Sequence, residues 1–343
     1  MRPELRARLA ALGASDDDLD RAEREGWLPL LAMDRTIMPG EPRYALGEIV
    51  ATTGIEERLL RRLWRALGFP DVPADLEVFT DRDLRAAQRV MKRARLDGIE
   101  PDELVRQVQA VSAAMARVAS VEADAIGDVM QRLLQEGRPP DEVAELFVDT
   151  LRFDDLAELI DYEHRLQLRA AIWRRLTLDV LPETSVGVGF ADLAGYTKAT
   201  EHLGPDEITA LIARWEERAF DTVARCGAHV VKTVGDEVMF TGLPDGVVDA
   251  AFALCDIGTA DPSLLPVRAG VAAGPVIRRH GDVYGPVVNL ASRLTEIAPP
   301  GAVIGSAALQ SELAGCAVRF TSLGTRRLRG IGLVEVFGLE RSG

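Results

Sequence analysis

The fold of the second half of this chain is decided by two stretches, VGFADLAGYT (Val188–Thr197) and HVVKTVGDEVMF (His229–Phe240). In each, alternating apolar residues predict a half-buried strand that runs into a glycine-containing turn. The second stretch reads as a β-hairpin with Gly235 and Asp236 at its tip. Asp192 and Asp236 therefore stand at strand ends, where carboxylates can hold the hard divalent cations that suit phosphate substrates.

Helices and strands alternate from Thr184 onward, which predicts an α/β sandwich with one sheet covered by helices. The predicted helices are Pro205–Cys226, Val247–Ile257 and Val287–Ile297. The predicted strands, besides the two stretches above, are Val267–Ala272, a strand-turn-strand over residues 276–284, Val303–Ile304, Val318–Phe320 and Val334–Leu339.

A third stretch, DVYGPVVNLASRL (Asp282–Leu294), follows the first two along the chain. Together, FADLAGYT, KTVGDEVMF and this stretch resemble the ordered motifs of class III nucleotide cyclases, over roughly residues 185–340. The resemblance implies an α+β protein with a ferredoxin-like catalytic domain. It also implies a reaction in which the ribose 3′-hydroxyl of a nucleoside triphosphate attacks the α-phosphate and pyrophosphate leaves.

The resemblance assigns roles in the chemical step to four residues. Asp192 and Asp236 match the two metal-binding aspartates of the family, which implies two divalent cations, Mg²⁺ or Mn²⁺. Asn289 and Arg293 lie four residues apart, on one face of a predicted helix. They match a pair in which Asn orients the ribose and Arg meets the charge developing on the α-phosphate. Taken singly, each of the four is also an ordinary turn, cap or surface residue.

Three further residues are implied to bind the substrate. Lys232 and Asp282 match the pair that reads adenine, with Lys as donor to a ring nitrogen and Asp as acceptor for the exocyclic amine. Guanine has a carbonyl where adenine has that amine, so ATP is favoured over GTP. Arg329 aligns with a basic residue that contacts the terminal phosphates, although Arg326 and Arg327 compete for this role.

The resemblance also implies a homodimer. In the family, the metal-binding aspartates come from one subunit, and the adenine-reading and transition-state residues come from the other. This chain carries both sets in one catalytic domain. Two equivalent sites across the subunit interface are therefore expected, together with an inactive monomer.

The first half of the chain predicts helices throughout. We expect a helical regulatory domain over residues 1–153, a helical linker over 154–183 and the catalytic domain over 184–343. By pattern and order, the first half is similar to the helical regulatory domain of soluble mycobacterial-type adenylyl cyclases that respond to acid pH. We hypothesise that it dimerises and misaligns the catalytic halves until a proton, lipid or other signal releases them. His164 is either a proton switch or a solvated linker histidine.

Residues 44–69 predict a helix-turn-helix-like segment with a basic second helix. One interpretation is DNA recognition, which would make the protein a nucleotide-sensing transcription regulator. The other, which we favour, is a packing module whose arginines pair with local acidic residues. A third function, diguanylate formation or polymerisation on a related fold, is disfavoured because the hairpin lacks a GGDEF-like signature. The basic residues concerned are Arg58, Arg61, Arg62 and Arg65.

The amino-acid composition disfavours several classes of binding partner. The formal net charge of −14 disfavours non-specific binding to nucleic acid or to anionic membranes. We expect no membrane segment, because no apolar run approaches the roughly 18 residues that a span needs. The charged first residues lack a signal-peptide core, and three cysteines without CxxC spacing predict reduced thiols. A cytoplasmic location is the resulting expectation.

Overall fold

The computed structural model describes residues 1–151, 153–180, 185–279 and 281–342. The chain forms two compact units, Met1–Ala171 and Ile172–Gly343. Each unit has its own buried apolar clusters.

Helices make up the first unit, as the apolar spacing predicts. Ser15 accepts a hydrogen bond from the backbone N–H of Asp18 at 3.1 Å and so caps the helix that begins at Asp16. An isolated β-bridge joins Tyr44 and Phe79. The helices are α1 Pro3–Ala11, α2 Asp16–Glu25, α3 Leu28–Ile37, α4 Leu46–Thr53, α5 Glu57–Ala66, α6 Asp81–Asp97, α7 Pro101–Gln135, α8 Pro140–Thr150 and α9 Phe153–Val180, which continues beyond the unit.

The helix-turn-helix-like segment is present as α4 and α5. Gly54 ends α4 in the left-handed conformation, with φ of 68°. Leu46 of α4, Ile55 of the turn and Leu60 of α5 are buried together with Phe79. The two helices therefore belong to the hydrophobic core of the first unit.

The long helix α7 carries a stripe of apolar residues at helical spacing. Leu104, near the beginning of the helix, is buried. Further along, Val111, Val118 and Val121 are exposed. Along most of its length, this stripe is therefore exposed or only half-buried.

The second unit contains a seven-stranded sheet with strand order β2-β3-β1-β4-β7-β9-β8 and a separate β5–β6 hairpin. The strands are β1 Val186–Leu193, β2 His229–Val234, β3 Glu237–Gly242, β4 Val267–Gly274, β5 Ile277–Arg279, β6 Asp282–Tyr284, β7 Val303–Ser306, β8 Val318–Leu328 and β9 Gly332–Arg341. The helices are α10 Tyr196–Thr200, α11 Pro205–Arg225, α12 Pro244–Ala260, α13 Pro286–Ile297 and α14 Ala307–Glu312.

The first four strands have the ferredoxin-like arrangement. Strand β1 pairs antiparallel with both β3 and β4, and β2 pairs antiparallel with the other edge of β3. Helix α11 connects β1 to β2, and α12 connects β3 to β4. This is the β-α-β-β-α-β order of that fold. The predicted fold class, a helical region followed by a ferredoxin-like α/β sandwich, is confirmed.

Strand β8 is longer than its sequence predicts. The apolar pattern indicates Val318–Phe320, whereas the strand continues to Leu328 and pairs with β9. Residues 321–327 are all exposed, so this part of the strand has no alternation of buried and exposed residues for a pattern to detect. Arg326 and Arg327 consequently lie within a strand and not in a loop.

Helix α13 packs closely on one face of the sheet. A Cβ atom placed on Gly270 of β4 would lie 2.2 Å from the backbone nitrogen of Thr295, so glycine is required there. The buried hydroxyl of Thr295 bonds to the carbonyl oxygens of Phe190 and Ala291, at 3.2 and 3.0 Å. These contacts hold α13 against the strand that carries Asp192.

Candidate active site

Asp192 and Asp236 lie at the same end of the sheet. Strand pairing joins Val234 to Glu237, so Gly235 and Asp236 form a two-residue hairpin tip, as predicted. Gly235 has φ of 62°, which favours glycine in this turn. Ala191 of β1 pairs with Val238 of β3, and the next residue along β1 is Asp192. The register therefore directs both aspartates toward one site.

Arg268 forms the principal ion pair of this site. It is the cross-strand partner of Asp192 on β4. Its Nε and Nη2 atoms donate to the two carboxylate oxygens at 2.6 and 2.9 Å, and its Nη1 donates to the carbonyl of Glu296 at 2.9 Å. The hydrogen bond to Asp192 raises the pKa of Arg268. The Asp192 side chain is only 15% exposed, and the partly buried Arg268 guanidinium neutralises its charge through two parallel hydrogen bonds.

Asp236 lies in an environment that resists its ionisation. Burial raises its pKa, and the negative charge of Asp192 acts in the same direction. Hydrogen bonds from the backbone N–H groups of Asp236 itself and of Leu193 oppose this shift. Glu237, the next residue, also has a raised pKa, first through burial and then through Asp192 and Asp236. A bound divalent cation would relieve this crowding of negative charge.

The donor set at this end of the sheet fits cations that arrive with a polyphosphate. Among the described residues, no group of three or more His, Cys, Asp or Glu side chains is arranged to hold a metal ion. Asp192 and Asp236 therefore supply two carboxylates and not a complete cage. Mg²⁺ is commonly held by one or two carboxylates together with substrate phosphates and water.

Lys232 and Asp282 meet directly. Lys232 Nζ, on β2, donates to Asp282 Oδ2, on β6, at 2.6 Å. The other carboxylate oxygen accepts the N–H of Val283 at 2.7 Å. Burial alone would raise the pKa of Asp282, but the hydrogen bonds from Lys232 and Val283 lower it overall. A cationic donor and an anionic acceptor thus lie side by side within one chain.

Asn289 and Arg293 lie on successive turns of α13, outside its buried face. Asn289 is exposed and Arg293 is partly exposed. Arg293 forms an ion pair with Glu296, one turn further along the helix. The predicted helical spacing of the two residues is therefore present, with both side chains accessible from solvent.

Arg329 is separated from the other predicted residues. It follows the last residue of β8, which is the edge strand opposite β2, where Lys232 lies. Arg329, Arg326 and Arg327 are all exposed. One chain therefore does not bring Arg329 to the Lys232–Asp282 pair.

Sequence reasoning missed two charged groups of this site, Arg268 and Glu237. Both stand in the quoted or predicted strands, and both are polar residues in largely apolar runs. That break in the pattern was the available signal. Which carboxylate each faces depends on strand register, which the sequence does not give directly.

The basic helix α5 has acidic partners on the described chain. Arg61 pairs with Glu57 at 2.8 Å and Arg65 pairs with Asp71 at 2.8 Å. Arg62 donates to a residue of α7, Asp102, at 2.7 Å. These pairs support the interpretation of residues 44–69 as a packing module and count against a free DNA-reading face.

Two other expectations concern the membrane and His164. No described helix combines the length and apolarity needed to cross a bilayer.

His164 lies exposed on α9, next to an ion pair between Asp161 and Arg165. The hydrogen bond from Arg165 lowers the pKa of Asp161, to which His164 also contributes. Whether His164 acts as a switch stays a prediction.

Comparison with known proteins assigns the family. Residues 179–341 match the adenylate and guanylate cyclase catalytic domain, and residues 1–153 match the adenylate cyclase regulatory domain. An adenylate cyclase of Streptomyces coelicolor is 31% identical over 82% of this chain and 75% of its own length. A pH-sensitive adenylate cyclase of Mycobacterium tuberculosis is 30% identical over 91% of this chain and 82% of its own.

A solved structure of the adenylyl cyclase CyaB from P. aeruginosa covers 47% of this chain and 95% of that chain, with 20% identity and a TM-score of 0.42. The two domain matches and the bacterial relatives confirm the resemblance that the three motifs indicated. The chain belongs to the adenylate cyclase family, with a regulatory domain of that family preceding an adenylate and guanylate cyclase catalytic domain.

Proposed function

We propose that the chain converts ATP to 3′,5′-cyclic AMP and pyrophosphate, at a site that two copies of the chain build together. One observation carries the choice of ATP. The Lys232 ammonium and the Asp282 carboxylate lie 2.6 Å apart, on the same catalytic unit as the Asp192–Asp236 end of the sheet. The relatives named adenylate cyclase support the same choice.

The base is read by complementary hydrogen bonds. Asp282 accepts from the exocyclic amine of adenine, and Lys232 donates to a ring nitrogen. The ion pair between them is partly exposed and opens at small cost, because surface ion pairs contribute little to stability. Guanine would place a carbonyl oxygen against the Asp282 carboxylate, so two acceptors would face each other without a donor between them.

Asp192 and Asp236 bind the triphosphate through two divalent cations. When bound there, such cations would neutralise phosphate charge and lower the pKa of the ribose 3′-hydroxyl. Arg268 holds Asp192 in place through both of its carboxylate oxygens. Asn289 orients the ribose, and Arg293 meets the charge that develops on the α-phosphate. Arg329 contacts the terminal phosphates.

Several hairpins of the catalytic unit carry exposed apolar residues. Val234 beside the β2–β3 tip, Ile277 on the β5–β6 hairpin and Leu333 on the β8–β9 hairpin are 63%, 65% and 68% exposed. Three hairpins of one unit thus each present an apolar side chain to solvent, and the partner copy would cover such side chains in the proposed dimer. A second copy of the chain, related by a two-fold axis, is the partner that we propose.

The first half of the chain regulates this activity in our proposal. We assign residues 1–153 to the regulatory domain, 154–183 to the helical linker and 184–343 to the catalytic domain. The match of residues 1–153 to the adenylate cyclase regulatory domain supports this assignment. The pH-sensitive relative supports a response to acid.

Product analysis tests the reaction. The full-length protein is incubated with ATP and Mn²⁺ or Mg²⁺ at mildly acid and mildly alkaline pH, and nucleotides are separated and identified by mass spectrometry. We expect cyclic AMP from the wild type and none from Asp236→Ala. Absence of any cyclic product from a confirmed dimer would contradict the proposal.

A further inference from the structure

A buried tryptophan contacts the hairpin that carries Asp236. Trp215, on α11, is fully buried. Its indole Nε1–H donates a hydrogen bond to the backbone carbonyl oxygen of Asp236 at 2.8 Å. The ring packs in the same apolar cluster as Leu193 and Val238. Leu193 directly follows Asp192, and Val238 lies on β3, two residues after Asp236.

The tip of the hairpin is itself largely exposed. Gly235 and Val234 are both exposed, and Asp236 is only partly buried. A two-residue tip that projects from an edge hairpin is free to rock unless a side chain holds it. The indole supplies that support from beneath, because it is rigid and is itself fixed in the core of the unit.

Asp236 is held at both of its ends. At its side-chain end, the backbone N–H of Leu193, the residue next to Asp192, acts to lower the pKa of the carboxyl group. The backbone carbonyl of Asp236 accepts the indole N–H of Trp215. Neither donor has a lone pair to offer a cation, since an indole N–H and a peptide N–H only donate. Both groups therefore set the position of Asp236 without competing for a metal ion.

We propose that Trp215 is a positioning residue that holds the β2–β3 tip so that Asp236 and Asp192 can bind a divalent cation together. This inference rests on the proposed function, in which those aspartates hold the cations. Trp215 touches neither substrate nor metal and acts through the Asp236 carbonyl. Its contribution is to metal affinity, and base selection by Lys232 and Asp282 does not depend on it.

The test replaces the N–H and keeps an aromatic ring. In Trp215→Phe the donor is lost and the ring volume is only partly reduced. Loss of one neutral hydrogen bond corresponds to a roughly three- to tenfold weaker affinity for Mn²⁺. Mn²⁺ is titrated into the full-length protein with the non-cyclisable analogue α,β-methylene-ATP, and free Mn²⁺ is measured by electron paramagnetic resonance. The Mn²⁺ activation constant of cyclase activity is measured in parallel.

Matched variants separate positioning from general loss of stability. Trp64→Phe removes an equivalent bond, from Trp64 Nε1 to the carbonyl of Pro70 at 2.8 Å, in the first unit. Leu309→Val removes one methylene from a fully buried residue of the same core as Trp215. We expect neither control to change Mn²⁺ affinity, and we expect the preference for ATP over GTP to be unchanged in Trp215→Phe.

A second replacement guards against misfolding of the phenylalanine variant. The benzothienyl analogue of tryptophan, introduced at position 215, keeps the bicyclic shape and replaces N–H with sulfur. We expect it to weaken Mn²⁺ binding as Trp215→Phe does, with a smaller change in melting temperature.

The outcomes distinguish the two proposals. If Asp236→Asn binds Mn²⁺ as tightly as the wild type does, the proposed function itself is overturned. If Asp236→Asn abolishes binding but both replacements at position 215 retain wild-type affinity, the positioning role of Trp215 is overturned. A lower affinity in both replacements, with normal affinity in Trp64→Phe and Leu309→Val, supports it.

Discussion

The two ends of the candidate site hold their charges in different ways. At the aspartate end, Asp192 is nearly enclosed and bound through both carboxylate oxygens to Arg268. At the base-reading end, Lys232 and Asp282 form a single, partly exposed contact. The first arrangement fixes a carboxylate before any ligand arrives. In the second arrangement, the donor and the acceptor can release their contact with each other and bind a nucleotide base instead.

This difference predicts different costs of substitution. Breaking a largely buried, bidentate pair leaves an uncompensated charge and lowers stability. Breaking a partly exposed pair has little effect on folding, because water replaces the lost partner. Substitutions at the aspartate end should therefore affect both folding and catalysis, whereas those at the base-reading end should affect nucleotide choice.

The largest expected effect is on catalysis at the aspartate end. Asp236→Asn should lower the rate of cyclic AMP formation by about 10²–10³-fold or more, because a charged group that stabilises the transition state is lost. The rate is measured at saturating ATP and Mn²⁺. The chain should remain folded, as checked by circular dichroism. A rate within tenfold of the wild type would show that Asp236 is not a metal ligand.

The next effect concerns nucleotide choice at the base-reading end. Lys232→Met should lower kcat/KM for ATP by about 10–100-fold, since a hydrogen bond from a charged donor is worth roughly 1.5–3 kcal/mol. The ratio of kcat/KM for ATP over GTP should fall with it. Lys92→Met, at an exposed site on α6, is the matched control and should leave both quantities unchanged. An unchanged ATP preference in Lys232→Met would refute base reading by this pair.

A smaller effect, on stability, sharpens the comparison. Arg268→Gln should lower the free energy of unfolding by about 2 kcal/mol, because Asp192 loses two charge-assisted hydrogen bonds. Urea unfolding measures this loss. Added Mn²⁺ should reduce the difference in free energy of unfolding between Arg268→Gln and the wild type, since the freed Asp192 carboxylate then gains a cation. If Mn²⁺ leaves this difference unchanged, Asp192 does not bind metal.

The smallest expected effect is on how the melting temperature depends on pH. Burial raises the pKa of Asp236 in the folded state, so its ionised form is disfavoured by folding. This destabilisation is present at neutral pH and disappears as pH falls below the ordinary range of an Asp carboxyl, at about 3.9. In the absence of metal, Asp236→Asn should therefore raise the melting temperature at neutral pH. The gain should shrink toward low pH, and a gain that grew on acidification would have the wrong sign.

Local sequence signals predicted the elements that present the site. Gly235 and Asp236 between apolar strands defined the hairpin, and the spacing of Asn289 and Arg293 defined their common helix face. The helices of the first half followed from apolar spacing and from caps such as Ser15. These features depend on neighbours within a few residues, which is why a single sequence contains them.

The contacts that tune the site depend on long-range pairing. Arg268 was read as part of an apolar strand, and only the β1–β4 register places it opposite Asp192. Trp215 lies within the predicted helix Pro205–Cys226, and its bond to the Asp236 carbonyl requires the packing of that helix under the hairpin. The β8 extension was missed because its residues have no buried face.

The central claim, that two copies of the chain build each site, can be tested with mixed dimers. Asp236→Asn and Arg293→Ala chains carrying different affinity tags are co-expressed, and dimers bearing both tags are purified. Each mixed dimer should contain one intact site and one doubly altered site, so we expect about half of the wild-type activity. Mixed dimers of Asp236→Asn with Asp192→Asn serve as the control and should stay inactive. If the Asp236→Asn and Arg293→Ala dimers were also inactive, although stably paired, the site would lie within one chain and the claim would be wrong.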